Sequence, residues 1–509
     1  MRGLLYNSKK VITVFFLFVF VFFSLFTANA ATPPDTTKEN STQSTDFSES
    51  VPKYKGLFVI SKDTVISSQN YTSISESENA VLASGGTSTI TDATVNKSGD
   101  SDNENADLLG INSAVLTYNG AILNLNGGSV STNGKYANAV FAYNNGTVNL
   151  SDITVGTSGD YSGGVVVADG GAMSVKNATV STTGDYSAAI KSGGVLTVNG
   201  GTYSTSGSNS PTVYSTANIS VSNAILTSTA SEGAVVDGAN SITLDNVTLN
   251  NTDSSLSENS ETHKNIFLYK STSDFLNIGA SKFTAKNSKI ITNKGDTFFV
   301  TNTATEINLT NNTIVNTSGD FLRAQKGSWG EDGSNGGNVT LNMSNQNVGG
   351  NVIIDDVSTL AFNLSNESVF QGSIDNADSA KKVSVKLSKD SIISLTSDSH
   401  IDILENEDST NANIYLNGHK LFVNDLEVRG NNTPYNSEST VTTAEPQTRD
   451  TETATESVES AGKDNNGVDY NLLTIITIIS TAVLIVILII VIVSVKKSHA
   501  KEKLSEYDS

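Results

Sequence analysis

Asp100, Asp102, Glu104 and Asp107 follow one another at nearly alternating positions. Clustered acids are the donors a hard cation takes, because calcium is held by several oxygens at once. An EF-hand loop read from Asp100 wants glycine at its sixth position and glutamate at its twelfth. The chain has Asn105 and Ile111 there. A solvated acidic loop is therefore the expectation. No cofactor is expected, calcium at these four acids being the one candidate.

A second locus brings together Arg323, Lys326 and Trp329, followed by Glu331, Asp332 and a run of glycines. Trp329 is the only tryptophan of the chain. Two arrangements remain open for it: an exposed platform on which a sugar ring stacks, or an indole folded back over the protein's own flank. A third set is Tyr136, Tyr161 and Tyr186, each preceded by Gly134, Gly159 or Gly184. Equal spacing from a repeated frame predicts that their rings form a column. Such a column binds glycans or stabilises the scaffold by stacking, about 0.5–1.5 kcal/mol per pair, and the structural role is the stronger expectation. His263, alone among serines, reads as a surface residue.

The elements that must position these residues repeat. STITDATV (88–95) recurs as LNLNGGSV (123–130), VNLSDITV (148–155), MSVKNATV (173–180) and LTVNGGTY (196–203). It continues as ISVSNAIL (219–226), ITLDNVTL (242–249), FTAKNSKI (283–290) and INLTNNTI (307–314). Starts mostly fall 23 to 25 residues apart, the period of a solenoid built from short strands. The first and third residues of the frame are apolar between polar ones and share one face of a strand. The fifth is Asp92, Gly127, Asp152, Asn177, Gly200, Asn223, Asn246, Asn287 or Asn311. These types accept a left-handed backbone at low cost, so a sharp bend is expected there in every coil, with the side-chain amides stacked in a ladder. In VTLNMSNQNV (339–348), LAFNLSNESV (360–369) and VSVKLSKDSI (383–392) the fifth residue is apolar, which predicts a longer strand and a bend two residues later. IYLNGHKLFV (414–423) and FVISKDTVI (58–66) are the expected end caps. Insertions lengthen the intervals after 88, 242 and 307.

This pattern resembles the right-handed parallel β-helix of the pectin-lyase-like superfamily, and most resembles the adhesin-like surface proteins of bacteria and archaea. The resemblance covers residues 57–428. It implies an all-β parallel β-helix, and its motifs specify fold far better than function. Family enzymes carry Gly-His-Gly, Arg-x-Lys or Asn-Thr-Asp elements, which the repeats lack. Asp320, Arg323 and the pair Asp355-Asp356 are the residues a lyase or hydrolase reading would use.

The ends set the expected topology. Arg2, Lys9 and Lys10 precede the apolar run 11–26 and Ala28-Asn29-Ala30, a signal peptide with its cut after Ala30. Residues 472–495 are an uncharged apolar run of 24, enough for one C-terminal transmembrane helix. Lys496, Lys497, Lys501 and Lys503 follow it and favour the cytoplasm. The expected order is signal peptide 1–30, flexible arm 31–56, β-helix 57–428, disordered acidic Ser/Thr-rich stalk 429–470, transmembrane helix 471–495 and cytoplasmic tail 496–509. With 31 Lys and Arg against 52 Asp and Glu, the chain carries a net charge of −21, which disfavours nucleic acid. It has no cysteine, so no disulfide or thiolate chemistry is available. These features lead to a membrane-anchored cell-surface module, adhesin-like and non-enzymatic, whose partner is a polysaccharide or another cell surface. The alternatives are a polysaccharide lyase or hydrolase of the same fold and a surface-layer spacer. Oligomeric state is not legible.

Overall fold

Strand residues alternate inward and outward, and in this chain a left-handed residue interrupts the alternation once per coil. The computed structural model describes residues 52–103, 105–252, 263–271 and 279–436. The expected signal peptide 1–30, the expected stalk beyond 436, the apolar run 472–495 and the basic residues after it lie outside these residues. Among the described residues no helix is long and apolar enough to cross a membrane.

The chain winds into a parallel β-solenoid of about 15 turns. One coil shows the plan: a strand Ile122–Asn126, a bend at Gly127, a strand Ser129–Thr132, a turn, and a short strand Val140–Ala142. Each strand lies in register on its counterpart one coil on: Val148 on Met173 and Leu150 on Val175, then Leu196 on Ile219. The short strands build a twelve-stranded sheet, and the strands flanking the bend build a 22-stranded one. In the last turns a four-stranded sheet (347–349, 369–372, 392–395, 414–415) takes the place of the strands after the bend. Inward residues of all sheets form one continuous apolar core from Ile60 to Leu421. Insertions leave the stacking intact: Ile242 pairs with Phe283 and Ile307 with Leu341.

The bend residue of every frame is left-handed. Asp92, Asp152, Asn177, Asn223, Asn246, Asn287 and Asn311 have φ between 51° and 56°. Their side chains link coils: Asn177 Nδ2 donates to Asp152 Oδ1 at 3.3 Å, Asn246 to Asn223 at 2.8 Å and Asn311 to Asn287 at 2.8 Å. The ladder is not continuous. At Gly200 a Cβ would stand 2.3 Å from Asn177 Oδ1, so only glycine fits. Asn223 turns instead to Asn199 at 2.8 Å. Asn287 likewise bonds Asp245 rather than Asn246.

In the coils from 339 and 360 the bend falls two residues beyond the frame's fifth position, as expected. Asn345 and Asn366 are left-handed, and the Asn311 amide donates to the Asn345 carbonyl, so the bend column runs on unmoved. Val339 pairs with Thr305 rather than with Ile307, because the strand has gained residues at its start. The ends differ from expectation. The closing pair is Leu421–Val423 against Leu426–Val428, the one antiparallel pairing among the described strands. At the other end, 56–60 and 64–67 are simply the first coil, each paired on one side.

A non-glycine residue without a polar side chain pays about 1–2 kcal/mol in the left-handed region. Asn246→Ala is expected to lower the unfolding free energy by about that amount, and Asn246→Gly by less than half as much. Denaturant midpoints of the two variants measure this; equal losses would assign the cost to the ladder hydrogen bond and not to the backbone.

Candidate functional site

The central residue of each short strand points away from the core, and in the twelve-stranded sheet these outer residues are largely apolar. Leu116, Phe141 and Val166 follow one another in register, and further on come Val235, Phe267 and Phe299. An apolar outer column would be costly in water. All three insertions join the chain at the ends of this sheet's strands. The first carries a short helix, Ala106–Leu109, and Leu109 with Tyr54, Tyr118 and Tyr143 covers Leu116 and Phe141. The third brings Trp329, which with Tyr214 and Tyr269 covers Phe267 and Phe299. The second surrounds the strand Lys264–Tyr269, and its residues 253–262 and 272–278 lie outside the described ones. This sheet face is thus where the irregular, chemically varied residues collect.

The acids of the first insertion have separate partners. Asp100 Oδ1 accepts the Lys135 amide at 2.8 Å, as Asp160 accepts that of Asp185 and Asp185 that of Ser208. It is the first rung of a turn repeated along the rod. Asp107 forms an ion pair with Lys191 at 3.2 Å, fastening the insertion to the sheet. Asp102 is exposed and Glu104 lies outside the described residues. Among the described residues no three His, Asp or Glu side chains gather as a metal site. Below the loop lies Lys97, 1% exposed, whose ammonium donates to the carbonyls of Ser75 and Gly99 at 2.8 and 2.6 Å. Burial pushes its pKa down to about 8, against the pull of Glu78 and Asp100.

Tyr136, Tyr161 and Tyr186 form the expected column, with ring centroids 4.9 and 4.8 Å apart. Lys135 Nζ lies 4.9 Å from the Tyr136 centroid and 5.7 Å from that of Tyr161, beside the first two rings. All three tyrosines are also left-handed, near φ 55°, in a second bend beside the stacked glycines 134, 159 and 184. A Cβ on Gly159 would meet the Gly134 carbonyl oxygen at 2.0 Å, and one on Gly184 that of Gly159 at the same distance. Ser162 and Ser187 donate their hydroxyls to those carbonyls. The column therefore holds a tight turn in shape.

Trp329 resolves its two arrangements in favour of the folded-back one. Its ring lies 4.9 Å from Tyr269 and 5.5 Å from Phe267, and it stays half-buried. Beneath this cluster Asp237, 8% exposed, accepts from Tyr214 Oη at 3.2 Å and from the Ser271 amide at 2.8 Å. Burial raises the Asp237 pKa, and those hydrogen bonds oppose the rise.

Arg323 stands at the next outer position after Phe299. Its guanidinium binds Asp296 at 2.7 Å and Asp320 at 2.5 Å. Burial raises the Asp296 pKa, and Arg323 pulls it back. Around them His263, Lys294, Ser318 and Asn351 line an open groove of about 610 Å³. Lys326 lies outside that lining. Its amide donates to Asp355 and its ammonium pairs with Asp356 at 3.7 Å. Both carboxylates of the groove are thus committed to Arg323, an arrangement that presents fixed hydrogen-bonding groups rather than a free acid and base.

The buried pair Lys264–Glu232, 3.2 Å apart with side chains 1% and 6% exposed, has no signature in the sequence. Lys264 Nζ also lies 4.5 Å from the Phe267 ring. Burial lowers the Lys264 pKa and Glu232 opposes this. Glu232 and Lys264 sit on neighbouring coils separated by the second insertion, so spacing alone could not bring them together.

Two outcomes test this anatomy. Trp329→Ala should cost about 2 kcal/mol of stability, below the range for a fully buried aromatic, read from chemical denaturation; an unchanged midpoint would return the indole to a free platform. Lys97 has a folded pKa below its unfolded one, so the unfolded chain binds the extra proton between about pH 8 and 10.5 and stability rises across that window. That rise should appear in the wild type and be missing from Lys97→Met. No protein family, no curated protein and no solved structure matches this chain, so its function is read from the arrangement of its own residues.

Proposed function

We propose that the chain is a membrane-anchored cell-surface protein. Its β-solenoid is of the right-handed, pectin-lyase-like kind and acts without catalysis as an adhesin-like module for polysaccharide or another cell surface. One observation carries the reading. The three insertions attach at the outer face of one sheet, and beside the second and third lies an open groove lined by His263, Lys294, Asp296, Asp320, Arg323 and Asn351. A groove with fixed donors and acceptors along a rigid rod suits a polyhydroxylated chain, which asks for many modest hydrogen bonds in a set geometry. Two cations, Lys294 and Arg323, and two carboxylates, Asp296 and Asp320, balance one another in the groove, so hydrogen bonding rather than net charge would hold the sugar. Asp296 and Asp320 are ion-paired with Arg323, which supports holding over bond cleavage. The apolar run 472–495 supports the anchored topology.

The test incubates the full chain with a panel of neutral and acidic polysaccharides in calcium-containing buffer, followed by mass analysis of bound and released material. Intact glycan should be retained, and Lys294→Ala should weaken retention about tenfold with the fold unchanged. Shortened or unsaturated products would replace this reading with a lyase or hydrolase. Neither retention nor products would leave protein–protein adhesion or a spacer.

A further inference from the structure

The two ends of the solenoid are built differently. At the C-terminal end the core closes: Ile414, Leu416 and Leu421 are buried, and the strand 421–423, stacked on 399–401, is followed by 426–428 in an antiparallel pair, with Lys420 and Glu427 ion-paired on it. At the N-terminal end the core stops in mid-stack. The first coil's inward residues are Phe58, Ile66 and Tyr71, with Ile60 already buried, and the neighbours of the first three one coil on are Val81, Ile90 and Val95. Those neighbours are at most 1% exposed, whereas Phe58, Ile66 and Tyr71 remain half-open to solvent. The rings of Phe58 and Tyr71 stack at 4.7 Å across this end. Around them Leu57, Val59, Val65 and Ile74 are exposed, Val65 by 85% and Ile74 by 76%. Among the described residues, the strands 56–60, 64–67 and 70–73 pair on one side only, leaving a row of backbone donors and acceptors beside an apolar layer. An edge of that kind is a template for another strand.

We infer that this end is a self-association surface, occupied by the same end of a second copy of the chain. Three observations select that occupant. The preceding segment 31–51 carries only Ala31, Phe47 and Val51 as apolar side chains besides two prolines, too few to cover the layer. Residues 52–78 hold Lys53, Lys55 and Lys62 against Asp63, Glu76 and Glu78. The end is therefore neutral and mixed in sign while the chain as a whole is −21, so two copies can meet here without the repulsion that separates them elsewhere. Finally, the closed opposite end stops head-to-tail stacking, which would otherwise run on into a fibre. What is left is a closed pair about a two-fold axis across the rod. That symmetry sets the facing strands antiparallel, a pairing that continues the ladder. The inference does not depend on the polysaccharide reading.

The absence of cysteine makes the test clean. Single cysteines are introduced into the full chain at exposed positions of the open end (Ser67→Cys, Thr72→Cys) and of the closed end (Glu427→Cys), then treated with a flexible bis-maleimide. Covalent dimers are expected from the first two and not from the third. Adding Val65→Asp and Ile74→Asp to Thr72→Cys should cut the dimer yield at least about tenfold. Its far-UV circular dichroism should match that of Thr72→Cys alone, since both replaced side chains are exposed in the single chain. Cross-linking from both ends, which means side-by-side rods, or from the closed end alone overturns the inference. So does an absence of dimer from either open-end cysteine, or a yield that survives the two aspartates.

Discussion

One backbone constraint governs this molecule: a residue in each coil must turn left-handed at the bend so that the next strand points its apolar side chains back into the same core. Asparagine and aspartate meet that demand from Asp92 to Asn366 because a short polar side chain offsets the crowding of a left-handed backbone. Glycine meets it at Gly127 and Gly200, where the side chain of the coil before occupies the space a Cβ would need. Parallel stacking then follows, since bends in line put Val148 over Met173 and Ile219 over Ile242. The amide ladder is a consequence of that alignment more than its cause. It is interrupted at Gly200 and diverted at Asp245 while the stacking continues undisturbed.

The same regularity makes the sheets chemically unequal. The outer face of the 22-stranded sheet carries polar rungs such as Asn124–Asn149 and Asn308–Asn342–Asn363, which water and neighbouring amides satisfy. The outer face of the twelve-stranded sheet carries Leu116, Phe141, Phe267 and Phe299, which need cover. The first and third insertions supply it. Leu109 and Trp329, together with tyrosines at or beside the strands, seal the apolar stretches, and the charged outer positions Lys191 and Arg323 bond to Asp107 and to Asp296 with Asp320. Structural cover and the candidate groove share one face because both arise from interruptions of the repeat.

The frame was legible because each of its positions has a single physical task, and the bend position admits few residue types. The tyrosine column was legible for the same reason, although nothing in the composition signals that Tyr136, Tyr161 and Tyr186 are themselves left-handed. The bend of the coils from 339 and 360 was legible too, although Val339 looks like a first frame residue. In space the bend at Asn345 is the fixed point, and the strand grows backwards from it. The acid loop was expected to be solvated, and what its sequence did not show is that Asp100 belongs to a repeated turn and Asp107 to an ion pair.

Sequence alone determined the repeat, the inward residues and the bend, because these depend on contacts one coil apart and recur with the period itself. Tertiary structure decided what the irregular residues do. It alone placed Trp329 on Phe267, buried Lys264 against Glu232, gave both groove carboxylates to Arg323, and left one end of the core open while closing the other. The physical reason is that insertions and ends have no repeating neighbour to fix them, so their partners are chosen by the surface they fold onto.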